Sequence, residues 1–503
     1  MVLEHRVKLT FYGGVNKVGG NKVLLEDFGS GLKIFVDFGI NRGEFSDCAR
    51  QCYNPDKLEN FTEYKVLPSN EEVPVKNLYS KNFIFNHKEL NDRQKIRECE
   101  QKVDPPSDLD AILISHAHRD HYSGLSFVNR NIPIYTGVVT KRIIKASSKC
   151  SAPRVENFLY GLNWKTFRTG DTITLNKMEI FPVHVDHSIP GAYGFIICSS
   201  AGLIVYTGDF RMHGPMKYMT FDLIRRIGEI RKKKGKIESN FSYSEGRVAA
   251  LICEGTHIHK GAIESEKMVK RQLNQLFKPT SFDYLIVQYE RINWDRFRTF
   301  VDISKKYDWK YIIDEKDAYY YYRLNRKAIY DTMKDPEIKS DKSVYIISQN
   351  HAKFPWQRYI RKVFKQEEIT NRILSLDDIK NLEGKFCIYI TSFEDFERVK
   401  PHLPRELNGA FISSSVDPYA EEYRQKTKEI SQELRKIGIP TYKIHAAGHA
   451  KPHDIIKLVQ EIKPERIIPV HTNNAEFFTK LFKNYDTKVI LPNLKVTIEI
   501  VEY

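Results

Sequence analysis

Four side chains able to hold a metal fall within the six residues His116-Ala117-His118-Arg119-Asp120-His121. Imidazole and carboxylate together suit Zn²⁺, with Mn²⁺ or Fe as alternatives. The cluster follows the apolar run Ala111-Ile112-Leu113-Ile114, which reads as a buried strand. The ligands therefore sit on the loop leaving the strand's C-terminal end. A turn there can send His116 and His118 to one metal and Asp120 and His121 to a second. Three distant residues repeat the arrangement. Asp209 follows Ile204-Val205-Tyr206-Thr207-Gly208, and a carboxylate there can bridge two metals. His187 follows the apolar run 180–185, and His471 ends Arg466-Ile467-Ile468-Pro469-Val470. His184, inside the earlier run, is expected to be packed or hydrogen-bonded. A His-rich surface turn would account for the first cluster alone. It does not account for ligand-type residues at further strand ends, where active-site loops gather.

The elements that must position these residues come in two textures. Short strands over 7–12, 22–27 and 32–37 alternate with Gly turns, and further strands are predicted at 132–136, 172–185, 193–198 and 202–207. Residues 45–107 are polar, irregular and dotted with aromatics, an insertion of unknown role. Beyond 258, helical stretches at 264–277, 294–307 and 318–331 alternate with strands at 284–287, 311–313, 344–347, 386–390 and 410–413. That alternation predicts a parallel α/β sheet covered on both faces. A helix over 420–437 stops at Gly438, and strands resume at 442–445, 466–470, 488–491 and 495–501. One domain, 1–257 with a return segment 438–503, is interrupted by another, 258–437.

The 503 residues carry 79 basic against 64 acidic groups, a formal net charge of +15. A basic surface favours phosphate-rich partners. The densest basic run, Lys232-Lys233-Lys234 with Arg225, Arg226 and Arg231, is expected on a solvated helix face. Seven scattered cysteines exclude a disulfide framework and fit a reducing compartment. Cys198 and Cys253 are expected in the core. Cys48 and Cys52, with Cys99 or His87, are spaced loosely for a small structural zinc site. No N-terminal signal and no membrane-length apolar run is present, so a cytoplasmic protein without membrane contact is expected.

The His116–His121 signature, with His187 and Thr207-Gly208-Asp209, resembles the metallo-β-lactamase fold, an αβ/βα sandwich with a dinuclear metal site. Further motifs resemble its β-CASP branch, the nucleic-acid-processing group. Glu254 in Leu251-Ile252-Cys253-Glu254-Gly255-Thr256 matches an acidic residue after a strand. His449 in Ala446-Ala447-Gly448-His449 matches a Gly-His pair, and Pro469-Val470-His471 matches the last motif. Residues 258–437 match the inserted β-CASP parallel α/β domain in position and texture. The resemblance covers the chain except 45–107. A His at the last motif goes with RNA-acting members of the branch. Ser413-Ser414-Ser415 and Ala447-Gly448-His449 are similar to the RNase J pattern, where such loops contact RNA phosphates. Ala447 departs from the usual Ser, which removes one hydroxyl contact to a 5′ phosphate. The chain stops at Tyr503, so the C-terminal domain of bacterial RNase J is expected to be absent, as in shorter archaeal-type relatives.

The resemblance implies two Zn²⁺, with Mn²⁺ an alternative. His116, His118, His187 and Asp209 would bind one, and Asp120, His121, Asp209 and His471 the other. Asp120, His449 and Glu254 are the expected catalytic residues. His449 would protonate the leaving oxygen or hold the phosphate, and Glu254 would orient a histidine. Ser413, Ser414, Ser415, Ala447, Gly448 and His449 are the expected substrate contacts. A groove between the domains would hold single-stranded RNA, with aromatics stacking on bases. Tyr319-Tyr320-Tyr321-Tyr322 lies in a helical stretch and points around the whole helix, so at least half should be core. His445 is expected to pack, and His257 and His259 to be exposed or peripheral. The expected activity is that of an RNase J-like 5′-to-3′ exoribonuclease with some endonuclease action. Alternatives are a β-CASP processing endonuclease, a small-molecule hydrolase of the same fold, or a non-catalytic RNA-binding subunit. The oligomeric state stays open, a homodimer among the alternatives.

Overall fold

The computed structural model describes residues 5–51, 58–81, 103–150, 158–232, 246–261, 265–278, 282–324, 342–348, 351–404, 406–415 and 421–501. They form two units, Met1–Ala262 with Gly448–Tyr503, and Ile263–Ala447.

The first unit is built on two seven-stranded sheets. In one, Ala111–Ile114 lies between Leu32–Phe38 and Pro133–Gly137 and runs parallel to both. Its four residues are all buried, which is why it reads as an unbroken apolar run. In the other, Val248–Glu254 lies between Gly202–Tyr206 and Arg466–Val470, again parallel to both. Leu9, Phe11, Val36 and Leu113 of the first sheet meet Phe195, Ile197, Ile204 and Ile252 of the second in one core. The far face of the second sheet presents Val205, Leu251 and Cys253 to Leu223, Ile227, Ile455 and Leu458 of the helices Tyr218–Lys232 and Pro452–Ile462. Beyond the first sheet lie helix Val138–Cys150 and a cluster of rings including Phe35, Phe38, Phe61 and Phe127. This is the expected αβ/βα sandwich.

Several elements differ in detail. The run 172–185 is a hairpin, Ile173–Leu175 with Met178–His184, because Asn176 and Lys177 adopt left-handed φ of 43° and 67°. Helix Val138–Cys150 and strand Asn163–Phe167 had no clear sequence signal. Within 45–107, helix Leu58–Glu63 buries Phe61, and Val66, Leu67 and Tyr79 are buried too, so this stretch is partly core. Cys48 is buried; Cys52, His87 and Cys99, the rest of the loose zinc grouping, lie outside the described residues. Cys198 and Cys253 are core residues. Arg225 and Arg226 pair with Asp222 and Glu229 on one helix, while Lys233 and Lys234 lie outside the described residues. No described helix is long and apolar enough to cross a membrane.

The second unit carries a seven-stranded sheet in the order Ile373–Leu374, Val344–Ile347, Lys310–Asp314, Phe386–Ile390, Tyr284–Gln288, Gly409–Ser413, Thr441–Lys443. Every pairing is parallel. On one face Ile286, Ile312, Ile388 and Phe411 pack on Phe396, Val399, Ile430 and Leu434. On the other, Tyr311 meets Phe297 and Phe300 of helix Trp294–Tyr307. Strand Thr441–Lys443 pairs with Gly409–Ser413, which carries this unit to Ala447 rather than to 437. Tyr319, Tyr320 and Tyr321 are buried and Tyr322 is half-buried.

Candidate metal centre

The loop after Ala111–Ile114 turns at once into a short helix, Arg119–Tyr122. His116 and His121 are fully buried, and Asp120 is partly open. Asp209 arrives on the loop after Gly202–Tyr206, His187 after Met178–His184, and His471 directly after Arg466–Val470. His116, His118, His187 and Asp209 offer ligand atoms within 4.8 Å of one another, as do Asp120, His121 and His471, and Asp209, His449 and His471.

Four histidines use one ring nitrogen on the protein and aim the other inward. His116 Nδ1 lies 3.0 Å from Ser115 Oγ. His121 Nδ1 donates to Asp37 Oδ2 at 2.7 Å, and His187 Nδ1 to the Gly448 carbonyl at 2.5 Å. His471 Nδ1 donates to Thr256 Oγ1 at 2.8 Å. Each bond engages Nδ1 and leaves Nε2 turned toward the cluster, the usual arrangement for a metal-binding imidazole. His116 Nε2 and His187 Nε2 converge on His118 Nδ1 at 3.0 and 3.1 Å. Asp209 Oδ2 lies 3.4 Å from His116 Nε2, 3.3 Å from His121 Nε2, 3.8 Å from His187 Nε2 and 3.6 Å from His471 Nε2. Both Asp209 carboxylate oxygens and His121 Nε2 are buried without a hydrogen-bond partner. Orphaned buried polar atoms of this kind are costly. A set of convergent nitrogen and oxygen ligands around a shared carboxylate fits two divalent cations.

Charge within the cluster is correspondingly unusual. Burial, and then His121 alongside, push the His116 imidazole down to about 3. Burial with His118 and His116 holds His187 well below its ordinary value. Burial opposes ionisation of Asp209, but His471, His121 and His116 outweigh it and hold the carboxyl well below its usual range. Burial likewise opposes a charge on His121, and Asp209, Asp37 and Asp120 overcome it and raise that imidazole well above its ordinary value.

Behind the ligands sits a shell that sequence reasoning found only in part. Glu254 is buried and accepts from the main-chain N–H of Phe210, Thr256 and Ala450 at 3.3, 3.0 and 3.1 Å. It also receives His449 Nδ1 at 3.2 Å. Burial would lower the His449 imidazole; Glu254 and then Asp209 raise it to about 9. Thr256, which carries His471, and Asp37 were not picked out. Asp37 accepts from Ser115 N, Ser115 Oγ, Tyr206 OH and His121 Nδ1, all at 2.7 or 2.8 Å. It stands inside strand Leu32–Phe38, so the strand-then-carboxylate pattern that marks Asp209 does not single it out. His257 is corrected: it is buried, its ring edge-on to His449 at 5.6 Å. His259 is near Asn474, and His184 stacks on Tyr193.

The expected substrate residues divide between the units. Gly448 belongs with the metal ligands, because its carbonyl holds His187 and a side chain there would meet Ser188 Oγ at 2.8 Å. Ser413, Ser414, Ser415 and Ala447 belong to the second unit. Ser414 departs from expectation. It is fully buried, its carbonyl takes the Arg296 guanidinium at 3.1 Å, and its hydroxyl donates to the Ile444 carbonyl at 2.5 Å. A hydroxyl so occupied serves the unit's own packing. Ser413 and Ser415 are half-buried and Ala447 is buried. His445 packs against the Ser414 carbonyl.

A family profile described as "Beta-lactamase superfamily domain" matches residues 87–230. Ribonuclease J of Sinorhizobium meliloti is 21% identical over 377 residues, 73% of this chain and 58% of that protein. Ribonuclease J of Helicobacter pylori strain J99 is 21% identical over 472 residues, 92% of this chain and 56% of that protein. Ribonuclease J of Pyrococcus abyssi is 23% identical over 370 residues, 72% of this chain and 74% of that protein. The chain thus spans little more than half the length of the first two relatives. A crystal structure of a protein of unknown function from Enterococcus faecalis V583 has the same fold, with a TM-score of 0.69, 19% identity, and coverage of 98% of this chain and 100% of that one. The chain thus carries a match to the β-lactamase superfamily domain over 87–230 and is similar to ribonuclease J across most of its length.

Proposed function

We propose that the protein is a metal-dependent ribonuclease that hydrolyses RNA phosphodiester bonds in the cytoplasm, acting 5′-to-3′ as an exonuclease with some internal cleavage. The observation that carries this reading is Asp209, a buried carboxylate with both oxygens unpartnered and four histidine Nε2 atoms within 3.8 Å of Oδ2. The relatives' names and the +15 charge support RNA as the polyanionic substrate.

His116, His118, His187 and Asp209 would hold one cation, and Asp120, His121, Asp209 and His471 the other, with Zn²⁺ or Mn²⁺ suited to such donors. When bound, the pair supplies Lewis acidity, lowering the pKa of water and neutralising phosphate charge. His449 holds the proton that the leaving group needs. Its Nδ1 faces Glu254, so the imidazolium presents Nε2 for donation to the departing 3′ oxygen. Glu254, fixed by three main-chain N–H groups, keeps that ring oriented and charged. A second reading, a processing endonuclease, is favoured by Ala447, which offers no hydroxyl to a 5′ phosphate.

The test is end-labelled single-stranded RNA bearing a 5′ monophosphate or a 5′ hydroxyl, with Zn²⁺ or Mn²⁺, beside an Asp120→Ala variant. Mononucleotide release that prefers the monophosphate and vanishes in the variant supports the exonuclease. Internal fragments indifferent to the 5′ end move the reading to the endonuclease. No cleavage under any condition removes the ribonuclease reading.

A further inference from the structure

We infer that helix Pro355–Gln366 of the second unit, with the two residues before it, is a docking platform for single-stranded RNA. The inference rests on the ribonuclease reading and extends it to a surface that the metal centre does not use.

The segment 353–366, Lys-Phe-Pro-Trp-Gln-Arg-Tyr-Ile-Arg-Lys-Val-Phe-Lys-Gln, holds five cations, four aromatics and no carboxylate. It starts cleanly, with Pro355 in the first turn and the Gln357 side chain accepting from Phe354 N–H at 3.0 Å. The inner face buries Gln357, Ile360, Val363 and Phe364. Glu315 of helix Glu315–Leu324 takes Arg361 and Gln357 from that face, anchoring the helix. The outer face is left with Lys353, Arg358, Lys362 and Lys365, all exposed, and no ion pair engages them among the described residues. Phe354, Arg358 and Lys362 fall at i, i+4 and i+8, so they run along one stripe.

Phe354 is the ring of that stripe, and two further rings stand near it. Phe354 is 49% exposed. Its plane lies within 8° of the half-buried Trp356, with centroids 6.5 Å apart. Trp356 is backed by Tyr319, and Tyr359 by Tyr319 and Tyr322. An exposed ring near-parallel to a half-buried one, beside unpaired cations, offers a stacking face for bases and counter-charges for phosphates. That combination takes unstacked single strands, whose bases are free to lie on a ring; a duplex offers only its backbone.

The test uses the full-length protein with two surface variants, Phe354→Ala and the double Arg358→Gln, Lys362→Gln. Binding of a short unstructured RNA is read by fluorescence polarisation in chelator, across a salt series. Hydrolysis of the small diester bis(p-nitrophenyl) phosphate with metal reports the metal centre. Phe354→Ala is expected to weaken RNA binding roughly five- to a hundredfold. The double variant is expected to lower the slope of log affinity against log salt by roughly 1.4, at about 0.7 per phosphate on single strands. Small-diester hydrolysis should stay unchanged in both. Unaltered affinity and slope in the variants, with the parent binding RNA, overturn the platform and leave the ribonuclease reading standing. A parent that hydrolyses the small diester yet neither binds nor cuts RNA overturns both. Competition by poly-glutamate that the double variant loses and Phe354→Ala keeps overturns it in favour of an acidic protein partner.

Discussion

At the residue scale, the site works by division of labour between the two nitrogens of each histidine. Nδ1 is committed to Ser115, Asp37, Gly448 or Thr256, and Nε2 is thereby left for a cation. In the proposed site Asp209 is the shared carboxylate, so Asp209→Ala should lose most of the bound metal; elemental analysis of the purified variant measures this. Among the described residues Glu254 makes no side-chain hydrogen bond to a candidate ligand; it holds His449. Glu254→Gln should therefore retain its metal while kcat falls, toward the roughly 10²- to 10⁴-fold loss expected of His449→Ala. Metal loss in Glu254→Gln would assign that carboxylate to the ligand set instead. The ligand residues were legible because His-x-His-x-Asp-His after a strand is a dense and rare pattern. Asp37 and Thr256 were not, because Asp37 is a lone carboxylate inside a strand and a hydroxyl after a strand, as at Thr256, also suits an ordinary turn.

At the element scale, a glycine-bearing loop wraps the metal-ligand helix so closely that there is no room for a side chain. The Asp120 carbonyl accepts from Gly20 N and Asn21 N at 3.0 and 3.1 Å. A Cβ on Gly39 would lie 1.7 Å from that same carbonyl oxygen. Gly39→Ala should thus fail to accumulate as folded protein, read by circular dichroism and soluble yield. Lys22 closes the loop, donating to the Gly20 and Gly39 carbonyls at 2.9 and 2.7 Å. Burial lowers its ammonium from 10.5 to about 8, against a smaller opposing pull from Glu44. Between those two values the unfolded chain holds this proton and the folded one does not, so stability rises with pH. Relative to Lys22→Met, the parent should gain up to about 3 kcal/mol in urea unfolding between pH 8 and 10.5. A difference flat with pH would mean that Lys22 stays charged in the fold. The Gly turns were visible in the sequence, but their clasp on Asp120 was not, since it joins residues a hundred positions apart.

At the scale of the whole molecule, metal binding and folding stability should be linked. The ligands come from four separate strand ends of the first unit, and bound cations favour only the folded arrangement. Removing metal with a chelator should lower Tm by several degrees, since saturation at a hundred times Kd contributes about 2.7 kcal/mol. Asp209→Ala should show no such chelator effect in the same calorimetric scan. The α/β alternation beyond 258 was legible as a parallel sheet because buried parallel strands are apolar throughout, Phe386–Ile390 being buried at every position. Its far limit was not. Thr441–Lys443 is exposed or half-buried, and nothing in three residues says which sheet it will join.

The sequence by itself determined the order of the candidate ligands and the strands that precede them, because these are local properties of spacing and hydrophobic pattern; the class of fold followed from the resemblance of its motifs to the metallo-β-lactamase fold. It also determined that Tyr319 to Tyr322 could not form a single stacking row, since consecutive helical positions diverge by about a third of a turn. Only the tertiary structure decided which nitrogen of four of the histidines is taken by the protein, that Glu254 bonds His449, and that the Ser414 hydroxyl is spent on Ile444. It alone showed Phe354 and Trp356 near-parallel beside unpaired cations. These are contacts between distant segments, and a contact's partner and direction are fixed by packing rather than by the residues that flank it.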